Sequence, residues 1–441
     1  MIADPLDTTV TLLQDLIRAA CVNDGADQAG QEIRAVRVLQ DFLAGSDAEI
    51  EVYEALPGRG SLVARVKGTD PNAPKVGMLG HLDVVPVERE AWERDPFGGD
   101  LIDGEVWGRG AVDMLFLTAS FATVLREVAL AAKDGRPPRG DLLLIAVADE
   151  EAGGERGIKW LLQNAPIMRE VTEIIGESGG MRFGNHLAIE VGEKGSAGRK
   201  IKVKGVPAHA SIPFGSNGAV SVLAEAERLL REAKAPVVLG ETWQAFVTAR
   251  VSDETVAEKL RHPSTVAEGI AQLGVIAGYA HAISRTTFAP TKVSAGSAHN
   301  VIPASGTLTL DIRTLPGVND AAVDEILRDT LAPLGADFEI KHLLGWAATQ
   351  SPTDSDLFQV LSEVATEVSG APTIPLLAAG GSDCRFYREL GIPAYGFAVL
   401  SPQWTYEQYR ERIHAHNERI DVESINLTLT ALRAAVGRRI G

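Results

Sequence analysis

The stretch Met78-Leu79-Gly80-His81-Leu82-Asp83-Val84-Val85-Pro86 decides how this chain is read. Residues 76–79 are apolar and read as a buried strand. The strand ends in His81 and, two residues on, Asp83. A neutral imidazole nitrogen is a good metal ligand, and a nearby carboxylate can take up its other ring N–H. A satisfied histidine at a strand end would look the same. The metal reading therefore depends on whether other apolar runs deliver acids and a second histidine to the same place.

They do. Residues 141–148 form an unbroken apolar run after Asp141, as in a sheet covered on both faces, and lead into Asp149-Glu150-Glu151. Three acids in a row usually mean a solvated loop, but the carboxyl end of a central strand is where open α/β sheets bind ligands. A shorter strand at 173–175 runs into Gly176-Glu177-Ser178-Gly179-Gly180. Between these lies Gly108-Arg109-Gly110-Ala111-Val112-Asp113-Met114, whose glycines allow a close backbone path. An apolar helix is predicted over 115–131, which puts Asp113 at a helix entry; taken alone it reads as an N-cap aspartate. Residues 92–107, rich in Gly, Asp and Pro, read as loop. Upstream, helices are predicted over 7–20 and around Ile33, Val36, Leu39 and Leu43.

From about Gly195 the texture changes to half-exposed strands and amphipathic helices, as in a smaller α+β layer. The buried texture returns after Leu344 and includes a final helix over 422–436. The second domain, 196–344, thus reads as an insertion into an α/β domain made of 1–195 and 345–441, with a mixed central sheet. That arrangement returns His414-Ala415-His416-Asn417-Glu418 to the early acids.

Bulk composition narrows the function. A chain of 441 residues is long enough for two domains. A net charge of −17 argues against nucleic acid or an anionic membrane as partner. Two cysteines, Cys21 and Cys384, cannot build a disulfide framework or a cysteine-based zinc site. They fit a reducing, cytoplasmic setting. Residues 1–7 show no secretion signal, and no apolar run of about 18 residues is expected to span a membrane.

The order of motifs is more specific than any one of them. His-x-Asp at 81–83, Gly-Arg-Gly-x-x-Asp-Met at 108–114, Asp-Glu-Glu at 149–151, Gly-Glu at 176–177 and His-x-x-Asn-Glu at 414–418 resemble the M20 family of metallopeptidases. Gly-x-x-x-His at 205–209, Asn300-Val301-Ile302-Pro303, Asp311-Ile312-Arg313 and Gly380-Gly381-Ser382-Asp383 extend the resemblance over nearly the whole chain. It implies a zinc-peptidase-like catalytic domain and an inserted lid that mediates dimers in many members. It also implies two Zn2+ ions, with Co2+ or Mn2+ as substitutes: His81 on one, His414 on the other, Asp113 bridging, and Glu151 and Glu177 adding oxygens. His416 is an alternative to His414. By the same resemblance Glu150 is the general base, Asp83 orients His81, and His209 stabilises the oxyanion. Asn300 and Arg313 hold a substrate carboxylate, and Gly380, Gly381 and Ser382 line the pocket. One departure stands out: Leu115-Phe116 replaces the usual Lys-Gly after Asp-Met.

The resulting expectation is a di-zinc amidohydrolase that cleaves a small N-acyl amino acid or short peptide next to a free carboxylate. The rivals are a succinyl-diaminopimelate desuccinylase or acetylornithine deacetylase, and a non-catalytic binding protein on the same scaffold. The last predicts loss of a ligand or of the base, and none is lost here.

Overall fold

A computed structural model describes residues 4–441. The chain forms two compact units: residues 1–191, 351–376 and 382–441 make the first, and residues 192–350 with 377–381 the second.

The first unit is built on a mixed sheet. Asp141–Val147, Lys75–His81, Glu173–Gly176 and Ala394–Gly396 run parallel in that spatial order. Gly60–Val66 and then Glu49–Glu54 extend one edge antiparallel. Every residue of Asp141–Val147 is buried, which explains its continuous apolar run. Helices Phe116–Lys133 and Val422–Ile440 pack on one face. Ile158, Leu161, Met168 and Tyr387 pack against Leu143, Ile145 and Ile174 on the other.

Two expectations are corrected here. An 18-residue window within Ala111–Lys133 has a mean hydropathy of 1.6, enough by composition to cross a membrane, although no such run was expected. Of that window 72% is buried inside the protein, so this is a core helix. Leu115 and Phe116 are buried in its first turn, so the departure from Lys-Gly is absorbed by packing. The second correction concerns 92–107, read as loop. Asp100–Ile102 and Glu105–Trp107 form a hairpin around Asp103-Gly104, both at positive φ. Asp-Gly is a hairpin turn signal, but three-residue strands are too short to show alternation. Arg419–Asp421 adds a third strand against Glu105–Trp107, fastening the 414–418 loop beside Gly108–Asp113.

The second unit has a four-stranded antiparallel sheet in the order Thr287–Ala295, Ser305–Thr314, Gly195–Lys204, Phe338–Trp346. Along Ser305–Thr314 buried positions alternate with more open ones. Leu308, Leu310 and Ile312 pack with Val222, Leu223, Ala226, Val323 and Leu327 of helices Ala219–Arg231 and Asp320–Leu331. The region 237–282 contains short helices, as expected. A two-residue ladder, Ala208–His209 against Val301–Ile302, stands apart from the sheet.

Candidate active site

Three neighbouring parallel strands end together in the first unit. His81 is the last residue of one, Glu150 and Glu151 follow the second, and Glu177 follows the third. Asp113 and His414 close the cluster from loops. His81 Nε2 lies 3.3 Å from Asp113 Oδ1 and 3.6 Å from Glu177 Oε2. His414 Nε2 lies 3.1 Å from Asp113 Oδ2 and 3.2 Å from Glu151 Oε2. The two oxygens of one carboxylate thus face two separate histidine–glutamate pairs. His416 stands off, 3.6 Å from Glu88 on the exposed side of the loop, so the alternative assignment has no support in the geometry.

Asp113 is not the N-cap that its sequence position suggests. It sits at φ −118, ψ 94, before a cis bond to Met114, and the regular helix starts at Phe116. Its turn is held by Glu418, which is fully buried. The Glu418 carboxylate accepts the N–H groups of Gly110 (3.0 Å), Val112 (2.8 Å) and Asp113 (3.0 Å), and its charge is met by Arg109 at 2.7 Å. Gly110 has φ +85, and a Cβ there would stand 2.6 Å from Val84, so glycine is required.

Asp83 acts differently from the expectation. The ring Nδ1 of His81 meets the Asp83 main-chain carbonyl at 2.8 Å, while the nearer carboxylate oxygen is 3.7 Å away. The carboxylate instead accepts the N–H groups of Glu150 and Glu151, each at 3.1 Å, and the amide of Asn23 at 2.9 Å. Asn23 also reaches Asp149 at 3.3 Å. Asp149, left-handed at φ +69, accepts from Arg59 (2.9 Å), whose guanidinium forks onto Glu32 at 2.8 Å. Arg59, Glu32, Asp83 and Asp149 are all fully buried. A buried hydrogen-bonded network of one guanidinium, one amide and three carboxylates therefore lies behind the turn that carries Glu150 and Glu151.

Protonation reflects this crowding. Burial, then the Glu177 carboxylate, raises Glu150 well above the ordinary carboxylate range. Burial lifts Glu151 to about 7 against its bond to His414. Burial opposes charge on Asp113, but His414 and His81 hold its pKa down. Bonds to Asp113 and Glu151 push His414 up to about 10. Burial, reinforced by Glu177, raises Asp383 to about 8, and both its oxygens are buried without a hydrogen-bond partner. So is Glu151 Oε1. Oxygen and imidazole donors so placed, several of them short of partners, fit a pair of divalent cations. Glu150 with His81 and Glu177 also meets the spacing for a single ion.

Within the second unit, His209 is exposed, and its Nδ1 accepts the Ser211 N–H at 3.2 Å. That bond assigns the proton to Nε2, leaving an outward-facing donor. Ala210 N–H donates to the Asn300 carbonyl at 3.0 Å, so the His209 and Asn300 segments are neighbours. Arg313 is bonded through Nε to Asp311 at 2.9 Å. Gly380 and Gly381 fall in this unit, whereas Ser382 is buried in the first.

The profile of Peptidase family M20/M25/M40 matches residues 77–438. Among curated proteins, the chain is 28% identical over 391 residues to the N-fatty-acyl-amino acid synthase/hydrolase PM20D1 of Xenopus tropicalis, covering 85% of this chain and 74% of that one. It is 28% identical over 408 residues to the succinyl-diaminopimelate desuccinylase of Parvibaculum lavamentivorans, covering 88% of each. An M20 family metallo-carboxypeptidase from Sulfolobus solfataricus has the same fold, with a TM-score of 0.69 at 18% identity over 99% of both chains.

Proposed function

The chain belongs to peptidase family M20/M25/M40, a family of hydrolases acting on amide or peptide bonds, and from this premise we propose that it cleaves such a bond next to a free carboxylate. N-acyl amino acids or short peptides are the substrates. The observation that carries the reading is Asp113, whose Oδ1 faces His81 and whose Oδ2 faces His414. One ion would be held by His81, Asp113 and Glu177, the other by Asp113, Glu151 and His414. Zinc suits these donors best, with cobalt or manganese as substitutes. When bound, such a pair lowers the pKa of a water and polarises the substrate carbonyl.

The protein's own groups then do the following. Glu150, fixed through its N–H by Asp83, takes a proton from the attacking water and returns it to the leaving nitrogen. His209 donates its Nε2–H to the oxyanion as charge develops there. Arg313 and Asn300 hold the substrate carboxylate, and Gly380, Gly381 and Ser382 line the substrate pocket. An arginine fork suits a carboxylate because it can bind both oxygens. The reading takes the second unit as a lid and as a dimerisation surface, and the cytoplasm as the compartment. Exposed Ile212 and Phe214 beside His209 support the dimer, since apolar surface of this kind marks contact sites.

The test is a hydrolysis panel of N-acyl amino acids, dipeptides, N-succinyl-diaminopimelate and N-acetylornithine, with and without chelator. Chelator-sensitive turnover of acyl amino acids or dipeptides is expected, restored by zinc. Turnover confined to the succinylated or acetylated biosynthetic substrates would shift the assignment to the rivals. Turnover indifferent to complete metal removal would end the metal reading.

A further inference from the structure

Trp346, at the end of an edge strand in the second unit, joins Arg313, expected at the substrate's carboxylate, and Gly381, expected to line the pocket. The Arg313 guanidinium lies over its ring at 5.4 Å from the centroid. Gly381 lies against the same ring: a Cβ there would stand 3.2 Å from Cζ2 and 3.3 Å from Nε1. Asp311 takes the Nε side of Arg313, at 2.9 Å from Nε and 3.4 Å from Nη2. The guanidinium is therefore fixed on one edge by a carboxylate and on one face by an indole. What remains is its Nη1 end, which is the end a substrate carboxylate would meet. A flexible arginine loses rotamer freedom when it binds, so one already held flat binds more tightly.

We propose that Trp346 is a positioning residue for the Arg313 clamp, and that it sets the preference for substrates bearing a free carboxylate. The proposal rests on Arg313 being that clamp. A Cβ at position 381 would crowd the same ring, so the glycine lets the indole sit close.

The experiment compares kcat/KM for an N-acyl amino acid with that for its carboxamide. Arg313→Ala should collapse the acid-over-amide preference. Trp346→Ala should narrow it on the order of fivefold, the scale of one cation–π contact, mainly through KM for the acid. Trp346→Phe, which keeps a ring face, should retain most of it, and Trp346→Ala should add little in the Arg313→Ala background. Should Trp346→Ala depress acid and amide alike and leave the preference whole, the residue is only structural and the proposal falls. Should Arg313→Ala itself leave the preference intact, the clamp reading falls first. If Trp346→Ala does not fold, Trp346→Phe and Gly381→Ala carry the test: a preserved preference in Gly381→Ala, with the ring displaced, overturns the proposal.

Discussion

The two units hold their candidate residues in contrasting ways. In the first, Glu418 and Asp83 spend both carboxylate oxygens on main-chain N–H groups, out of reach of solvent, and thereby fix the turns that carry Asp113, Glu150 and Glu151. In the second, His209 stands exposed on a two-residue ladder, Asn300 stands exposed just before the ladder's other strand, and Arg313 is half-buried with one acid and one ring as neighbours. Preorganisation through buried charge couples function to stability, because each charge needs its partners. Surface placement uncouples them. Substitutions in the first unit should therefore disturb fold and chemistry together, unless they are isosteric; those in the second should disturb chemistry alone.

Glu418→Ala should show the largest effect. It leaves the buried Arg109 without its carboxylate and three N–H groups without their acceptor, so the expected loss of stability is about 3–5 kcal/mol, the cost of breaking a buried charge pair. Urea unfolding would read it, and zinc content should fall in parallel because the Asp113 turn loosens. A variant of unchanged stability would mean that the turn is held by something else, and the contrast between the units would lose its main support.

Glu150→Gln tests the exception. It keeps size and the N–H bond to Asp83, so folding and metal content should stay unchanged while turnover falls at least about a hundredfold. Loss of metal with loss of turnover would instead make Glu150 a ligand, as its spacing with His81 and Glu177 allows.

What the sequence revealed follows the same division. Strand-end acids were legible because a fully apolar run such as 141–148 announces a central strand, and ligands gather at its carboxyl end. The supports were not legible. Asn23 lies 60 residues before its partner Asp83, and Arg59 lies 90 before Asp149 and 27 after Glu32, and nothing in local pattern distinguishes a buried arginine from a surface one. Taken alone, the segment around Asp113 reads as a helix entry because the helix propensity of 115–131 hides the irregular turn before it; long-range bonds to Glu418 hold that turn. Trp346 left no signal at all, since its role depends on partners from two other segments.

His209→Ala sharpens the contrast from the other side. The side chain is exposed and bonded to Ser211, so stability should move by less than about 0.5 kcal/mol. If it donates to the oxyanion, kcat should fall on the order of a hundredfold with little change in KM, because the oxyanion gains its charge only in the transition state. A rise in KM with kcat preserved would make His209 a ground-state contact.

The smallest effect expected is on metal uptake, and its sign follows from the first unit's crowding. A cation takes the lone pair that a proton otherwise occupies, so binding at these residues displaces protons. Bonds to Asp113 and Glu151 push His414 up to about 10, so at neutral pH its imidazole must lose a proton to ligate. Burial first, and the repulsion of Asp113 next, bring Glu151 to about 7 despite its bond to His414. Below pH 7 it too must be deprotonated. Raising the pH lowers the number of protons to be displaced, so affinity should increase with pH by about tenfold per unit for each displaced proton; between pH 7 and 9 these sit on His414 and on His81, which Asp113 and Glu177 raise against its burial, and below 7 Glu151 adds to the slope. Zinc titrations at pH 6, 7 and 8 would give the slope, and calorimetry in buffers of different ionisation enthalpy would count the protons. A flat profile across that range would mean that the histidines are already neutral, and that the site is held open by something other than the ion pairs of Asp113 and Glu151 with His414.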